Sequence, residues 1–403
     1  MRSALFVSPL VMSLLAAAPA SAEPVPVGPP NVPSQTPAFE GQTRAPQIEN
    51  AGTLASQTVV EGLEHPWGLA FLPDGRMLVT ERPGRLRLIT PEGEMSAPLE
   101  GVPEVHAHGQ GGLLDIVLGP DFDTERWVYM SYAEPRDNGE SATAVARGRL
   151  SEDASRLTEV ETIFRQQPAW DSTRHYGATL APGDDDTLWI TMGDRGQNDS
   201  RPHAQTLDNT IGKVARIHTD GTIPDDNPFL EDDQARDDIW SRGHRNLQGA
   251  ARHPDTGELW VIEHGPQGGD ELNRPEAGLN YGWPVITYGE AYSGAPVGEG
   301  ITAQAGMEQP VYYWDPVIAP GDMIFYTGER FEGWQGDIVI ASLSPGGLVH
   351  LRLEGEGDQV RVGGEARYLE EIGRVRDIHQ GPDGDLWILT DYDNGALMRI
   401  TPQ

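Results

Sequence analysis

A 403-residue chain without a single cysteine cannot use disulfides, thiolate metal centres or thiol nucleophiles. Its 62 acidic residues against 29 basic ones leave a formal charge of −33, which argues against nucleic acid and anionic membrane as partners. Such a balance suits neutral small molecules and favours cations, while most of the carboxylates serve as solvated surface.

The chain opens with Arg2 ahead of an apolar run from Ala4 to Ala18, and Ala20-Ser21-Ala22 fits a signal-peptidase site. The run is too short to span a bilayer, and no second long apolar stretch follows it. Residues 1–22 are therefore expected to be a cleaved signal peptide, leaving a periplasmic or secreted chain that begins near Glu23 and is not inserted in a membrane. Removal of Arg2 takes the charge from −33 to −34. Residues 23–55, with Pro24, Pro26, Pro29, Pro30, Pro33 and Pro37, read as a disordered or loosely attached leader.

From Thr58 onward one phrase recurs: an apolar strand, a Pro-Asp-Gly type turn, and a second strand rich in Leu, Val, Ile or Trp. It runs Gly68 to Gly75 into Met77–Thr80, Leu113 to Asp121 into Trp127–Ser131, and His175 to Pro182 into Leu188–Thr191. It returns as Gly249 to Asp255 into Leu259–Ile262 and as Arg376 to Gly384 into Leu386–Leu389. A weaker copy lies between Ile318 and Leu353. In these turns Pro presets φ, Asp bonds its own backbone and Gly supplies positive φ. Repeats at this spacing, each one four-stranded blade plus insertions, predict an all-β fold: a six-bladed β-propeller over residues 56–403. Loops within 132–174, 197–240 and 272–317 are expected to build a site over one rim.

Several residues carry chemistry. Gln110 enters the second repeat among glycines, in His108-Gly-Gln-Gly-Gly112. His175 opens a strand that starts at the central channel, where a neutral imidazole could take a proton from a hydroxyl. Arg245 and Asn246, on a glycine-flanked turn, pair a planar cationic fork with an amide suited to carboxylate or quinone oxygens. In Glu263 to Asn273, Asp270 and Glu271 are hard oxygen donors, and the glycine-rich backbone can turn carbonyls toward a cation, for which Ca2+ is the natural choice. Arg374 and Arg376 share one side of a strand by the two-residue period and need carboxylate partners or a polyanionic ligand.

Taken in order, His-Pro-Trp-Gly-Leu-Ala-Phe, Gly-Gln-Gly-Gly-Leu-Leu-Asp, Gly-His-Arg-Asn, Glu-His-Gly-Pro-Gln-Gly-Gly-Asp-Glu, Asn-Tyr-Gly-Trp-Pro and Arg-Val-Arg-Asp resemble the soluble quinone-dependent glucose and aldose sugar dehydrogenases from about Gly62 to Ile400. The resemblance implies pyrroloquinoline quinone (PQQ) over the channel mouth, an aldose substrate, an unidentified electron acceptor, and His175 as general base. It implies that Gln110, Arg245, Asn246, Tyr292, Arg374 and Arg376 contact the cofactor, with Arg245 also stabilising charge on the reduced quinone. It implies Ca2+ held by the backbone oxygens of Gly265 and Pro266, and a further Ca2+ at Glu271 and Tyr281.

The chain departs from the family pattern at three places. Ser344 stands where the glucose-oxidising members carry a cofactor-holding lysine, Arg174 where they have an acid, and Thr179 where many relatives keep an arginine. The second change removes a carboxylate that could orient His175. Two other readings share the fold: a calcium-dependent propeller hydrolase of the sugar-lactonase type, and a decayed site that only binds sugar or protein.

Overall fold

The computed structural model describes residues 23–49, 51–355 and 357–403; the expected signal peptide at 1–22 lies outside them. Each repeat read in the sequence folds as the two inner strands of an antiparallel blade. The six innermost strands are Pro66–Phe71, Leu113–Leu118, Gly177–Pro182, Leu247–Arg252, Pro320–Phe325 and Val375–Gln380, and neighbours pack against each other around a closed ring. Blades two to five have four strands each in chain order. Blade one has three, Pro66–Phe71, Met77–Glu81 and Arg85–Ile89, with an Ile89–Met95 bridge as the rudiment of a fourth.

Blade six closes the ring. Its outermost strand is Leu54–Leu63, from the start of the propeller, paired antiparallel with Gly395–Pro402 from the end of the chain. The two ends of the domain thus share one ladder, and no long free edge remains at the seam. This strand begins two residues before the boundary expected at 56.

The Leu-Trp pairs of the repeats explain how blades stack. Trp260 of blade four meets Phe325 of blade five edge-on at 5.7 Å, and Trp387 of blade six meets Phe71 of blade one at 5.8 Å. Aromatic pairs of this geometry add about 0.5–1.5 kcal/mol beyond the area they bury. The repeated tryptophan is thereby an inter-blade contact.

Two expectations change. Residues 23–49 carry only isolated bridges, as their composition implies, yet they are tied to the propeller. Asp315 accepts the backbone N–H groups of Asn31 and Val32 at 2.6 and 2.9 Å, Ile48 N–H bonds Glu365 O, and Gln42, Ala45 and Ile48 are buried. Backbone donors captured by a blade carboxylate hold a segment that composition alone describes as disordered. Second, most of 132–174 is not loop: Ser141–Leu150 and Leu157–Arg165 are the two outer strands of blade two. The segment from 274 to 311, by contrast, contains no strand.

Candidate active site

The ends of the inner strands open into a cavity of about 440 Å³ at one mouth of the channel. Gln110, Asn246, Arg374 and Arg376 line it, together with Trp67, Arg82, Gln248, His264, Leu343 and Asp391.

His175, next to Tyr176 and Gly177 of this lining, has strained backbone. Its φ is 48°, in the left-handed region that residues with a Cβ seldom occupy. Gln110 Oε1 holds the conformation by accepting the His175 N–H at 2.8 Å. Across the hairpin, a Cβ on Gly193 would lie 2.2 Å from the His175 carbonyl oxygen, so only glycine permits this approach.

The Gly193-Asp194-Arg195-Gly196 turn supplies the carboxylate that position 174 lacks. Asp194 Oδ1 lies 2.6 Å from His175 Nδ1 and accepts the Gly196 N–H at 2.8 Å, while Oδ2 accepts from Trp283 Nε1 at 2.8 Å. A carboxylate only accepts, so Nδ1 carries the proton and Nε2 keeps its lone pair. Burial opposes the charge on Asp194, but His175, Arg245 and the Gly196 N–H outweigh it, and the carboxyl stays below its usual range. Burial and the Arg245 charge push His175 below its ordinary value of 6.5, against the pull of Asp194. The result is an imidazole that is neutral at neutral pH, its side chain 13 % exposed.

Opposite stands a cationic wall. Arg374 pairs with Asp391 Oδ2 at 2.7 Å, Arg82 lies 3.8 Å from Oδ1, and Arg376 lies 4.0 Å from Oδ2. Arg376 also donates to Gln248 Oε1 at 2.8 Å and sits over the Trp67 ring at 5.5 Å. Burial brings the Arg376 guanidinium down to about 10. Three guanidiniums beside one carboxylate leave a local excess of positive charge, and the Nε atoms of Arg82 and Arg245 have no hydrogen-bond partner. Arg245 is buried, donates to His264 O at 2.9 Å and lies over Trp283 at 5.3 Å. This donor set fits a flat polycarboxylate.

Next to Arg245, a small cavity is lined by Glu263, Gly265, Glu271 and Tyr281. Burial, reinforced by Glu263, pushes the Glu271 carboxyl well up, and Asn273 Oδ1 beside it lacks a partner. Buried acids and an orphaned amide oxygen fit a hard cation. Asp270 has a different task from the ligand role its chemistry suggested: its oxygens accept the N–H groups of Gly265, Ile318 and Ala319 at 2.8, 2.9 and 2.6 Å. It thereby fixes the 265–269 turn. Pro266 packs near Gly289.

The fold thus lines one mouth with Gln110, Asn246, Arg374 and Arg376; His175 adjoins it through its neighbour Tyr176 and its bond to Gln110, and Arg245 lines the smaller cavity with Gly265, Glu271 and Tyr281. Tyr292 is apart: it is 77 % exposed and lines none of this cavity. Ser344 faces a separate cavity with Pro345 and Arg367, while its neighbour Leu343 lines the mouth. Asp194, Arg82 and Asp391 escaped the sequence reading. A signal for two of them was present, since an acid ends or follows the second strand in Thr80-Glu81, Thr191-Met-Gly-Asp194, Ile262-Glu263 and Thr390-Asp391. Only the blade register gives that recurrence meaning.

Comparison with known proteins bears on the same features. Residues 63–399 match the family model described as Glucose / Sorbosone dehydrogenase. The chain is 44% identical over 354 residues to Aldose sugar dehydrogenase YliI of Escherichia coli K12, covering 87% of this chain and 94% of that one. The crystal structure of the soluble aldose sugar dehydrogenase from Escherichia coli in its apo-form superposes with a TM-score of 0.82 at 45% identity, over 87% of this chain and 100% of that one. The PQQ-bound aldose sugar dehydrogenase of Streptomyces coelicolor superposes with a TM-score of 0.70 at 27% identity, over 88% and 99%.

Proposed function

This chain belongs to the glucose/sorbosone dehydrogenase family, and on that premise we propose that it oxidises aldose sugars to lactones at the channel mouth, with PQQ as cofactor. The observation that carries the reading is the His175–Asp194 pair, 2.6 Å apart, beside a cavity lined by Gln110, Tyr176, Arg82, Arg374 and Arg376, with His175 bonded through its N–H to Gln110. A base oriented toward a polyanion site is what proton removal coupled to hydride transfer needs. A lactonase would have no use for the three guanidiniums.

When bound, PQQ supplies the acceptor for the hydride leaving the anomeric carbon. The protein supplies the rest. His175 Nε2 takes the proton of the anomeric hydroxyl, so that the C–O bond becomes the lactone carbonyl as the C–H bond breaks. Asp194 holds the ring in the tautomer with Nε2 free and stabilises the imidazolium that proton uptake creates. Arg374, Arg376 and Arg82 hold carboxylates through charge-assisted hydrogen bonds, and Gln110 and Asn246 contribute amides at the rim. Arg245, buried and short of one partner, stabilises negative charge that develops on the cofactor. The backbone oxygens of Gly265 and Pro266 would hold a Ca2+ that binds the cofactor, and Glu271 and Tyr281 would hold a further, structural one.

Export to the periplasm or the medium agrees with use of extracellular calcium and sugar. Among the described residues no helix is long and apolar enough to cross a membrane.

Purified apoprotein titrated with PQQ, with and without CaCl2, and then supplied with a panel of aldoses and dichlorophenolindophenol tests the proposal. Sugar-dependent dye reduction that requires both additions is expected. Proven PQQ binding without dye reduction on any aldose would instead mark a site that binds but no longer turns over. Lactone opening without PQQ would mark a hydrolase.

A further inference from the structure

One layer deeper in the channel, every blade presents the residue at the same bulge of its innermost strand: Gly68, Asp115, Thr179, Gly249, Asp322 and Asp377. Each strand's pairing with its neighbour slips at this point. The residue just above most of these positions lines the cofactor cavity (Trp67, Leu114, Gln248, Arg376), so the ring lies under its floor. From this ring a second cavity of about 280 Å³ opens, lined by Asp115, Thr179, Asp322 and His379.

The two glycines make room for acids of the adjacent blade. A Cβ on Gly68 would lie 3.0 Å from Asp115 Oδ1, and one on Gly249 would lie 2.9 Å from Asp322 Oδ1. Asp115 is satisfied by the N–H groups of Ile116 and Leu180, both at 2.7 Å. The other two are not. Asp322 Oδ1 and Asp377 Oδ2 are buried and accept no hydrogen bond, although Asp377 Oδ1 accepts from Ile378 N–H. Thr179 Oγ1, on a residue only 4 % exposed, is likewise without a partner. His379 Nε2 lies 3.3 Å from Asp377 Oδ2, and one donor atom each from Asp322, Asp377 and His379 falls within 4.8 Å of the others.

We propose that the channel holds a divalent cation between Asp322, Asp377 and His379, beneath the cofactor cavity and separate from the Gly265 and Glu271 positions. Buried carboxylate oxygens turned toward one another repel unless a cation or a shared proton sits between them. Asp115 adds a third buried carboxyl beside them without giving up its own bonds. Carboxylates with one imidazole select a hard or borderline ion of the Mg2+, Mn2+ or Ca2+ class over a soft one. Such an ion pins inner strands of blades five and six together directly under Arg376, whose neighbour is Asp377. Its occupancy does not depend on the dehydrogenase reading.

The test uses the mature chain stripped with chelator and titrated with MnCl2, with free Mn2+ followed by electron paramagnetic resonance and bound Mn2+ examined for nitrogen coupling. One bound equivalent coupled to a single imidazole nitrogen is expected. His379→Gln, which keeps every carboxylate, should abolish the coupling. Asp377→Asn should weaken that equivalent at least a hundredfold, and Glu271→Gln should leave it in place. Absence of nitrogen-coupled Mn2+, or coupling that survives His379→Gln, overturns the proposal. Unchanged affinity in Asp377→Asn does the same, and would mean that shared protons alone balance these acids.

Discussion

Asp194 Oδ1 sits 2.6 Å from His175 Nδ1, although the two residues belong to opposite ends of a hairpin and stand 19 positions apart. Asp194 is fully buried and spends its second oxygen on Trp283, so its carboxylate has no freedom to do anything but hold the ring. This pair, together with the cationic wall, makes specific outcomes measurable.

Asp194→Asn should cut sugar-dependent turnover by roughly a hundredfold or more, because the amide can present its NH2 to Nδ1 and stabilise the wrong tautomer. Affinity for PQQ should hardly change. His175→Gln should show a loss of at least about a hundredfold with the same retained affinity. Steady-state rates set beside cofactor titrations separate the two effects; near-normal turnover in either variant removes that residue from its role.

The base form of His175 exists above its pKa, and burial with Arg245 lowers that value below 6.5. Activity limited by this group is therefore retained below pH 6.5 and lost only as pH falls through the lowered value. The pH profile of kcat/KM should show an acid limb with its midpoint under 6.5. Asp194→Asn removes a charge that raises the pKa, so any residual limb should move further toward acid.

Arg376 is enclosed between Trp67 and Gln248, whereas Arg374 is 44 % exposed at its side chain. Hydrogen bonds between charged groups contribute about 1.5–3 kcal/mol. Arg376→Gln should thus weaken PQQ binding roughly ten- to a hundredfold, and Arg374→Gln should do less, with a stronger dependence on salt. Fluorescence titration at two ionic strengths distinguishes them, and equal losses would show that burial does not set the difference.

Asp270→Ala orphans three backbone N–H groups at once. With a buried donor costing about 1–3 kcal/mol, destabilisation of about 3 kcal/mol or more is expected in urea unfolding. A loss under 1 kcal/mol would mean that water replaces the carboxylate.

At the far edge, Asp315→Ala deletes the acceptor of the Asn31 and Val32 N–H groups. Limited proteolysis should then cut within 23–40 well before it cuts the wild type, while sugar oxidation stays unchanged. Equal cleavage rates would place the leader's anchorage elsewhere, at Gln42 and Ile48.

By itself the sequence determined the propeller, because each blade is a local event. An apolar strand, a Pro-Asp-Gly type turn and a second strand rich in Leu, Val, Ile or Trp announce a hairpin without reference to anything distant, and the phrase recurs in five clear copies and a weaker sixth. His175, Arg245, Asn246, Arg374 and Arg376 stand beside the starts of inner strands, so their placement follows from the same hairpins, whereas the roles proposed for them rest on the ordered motifs that resemble the family. Closure was not legible, since the pairing of Leu54–Leu63 with Gly395–Pro402 joins the two ends of the domain. Nor was the task of each acid. Asp194 holds the His175 ring, Asp270 staples a turn, Asp391 balances arginines, and Asp322 lies near Asp377, yet in sequence all are aspartates beside glycines or strands. Which donor or cation each meets depends on how neighbouring blades and loops pack, and only the tertiary structure decides that.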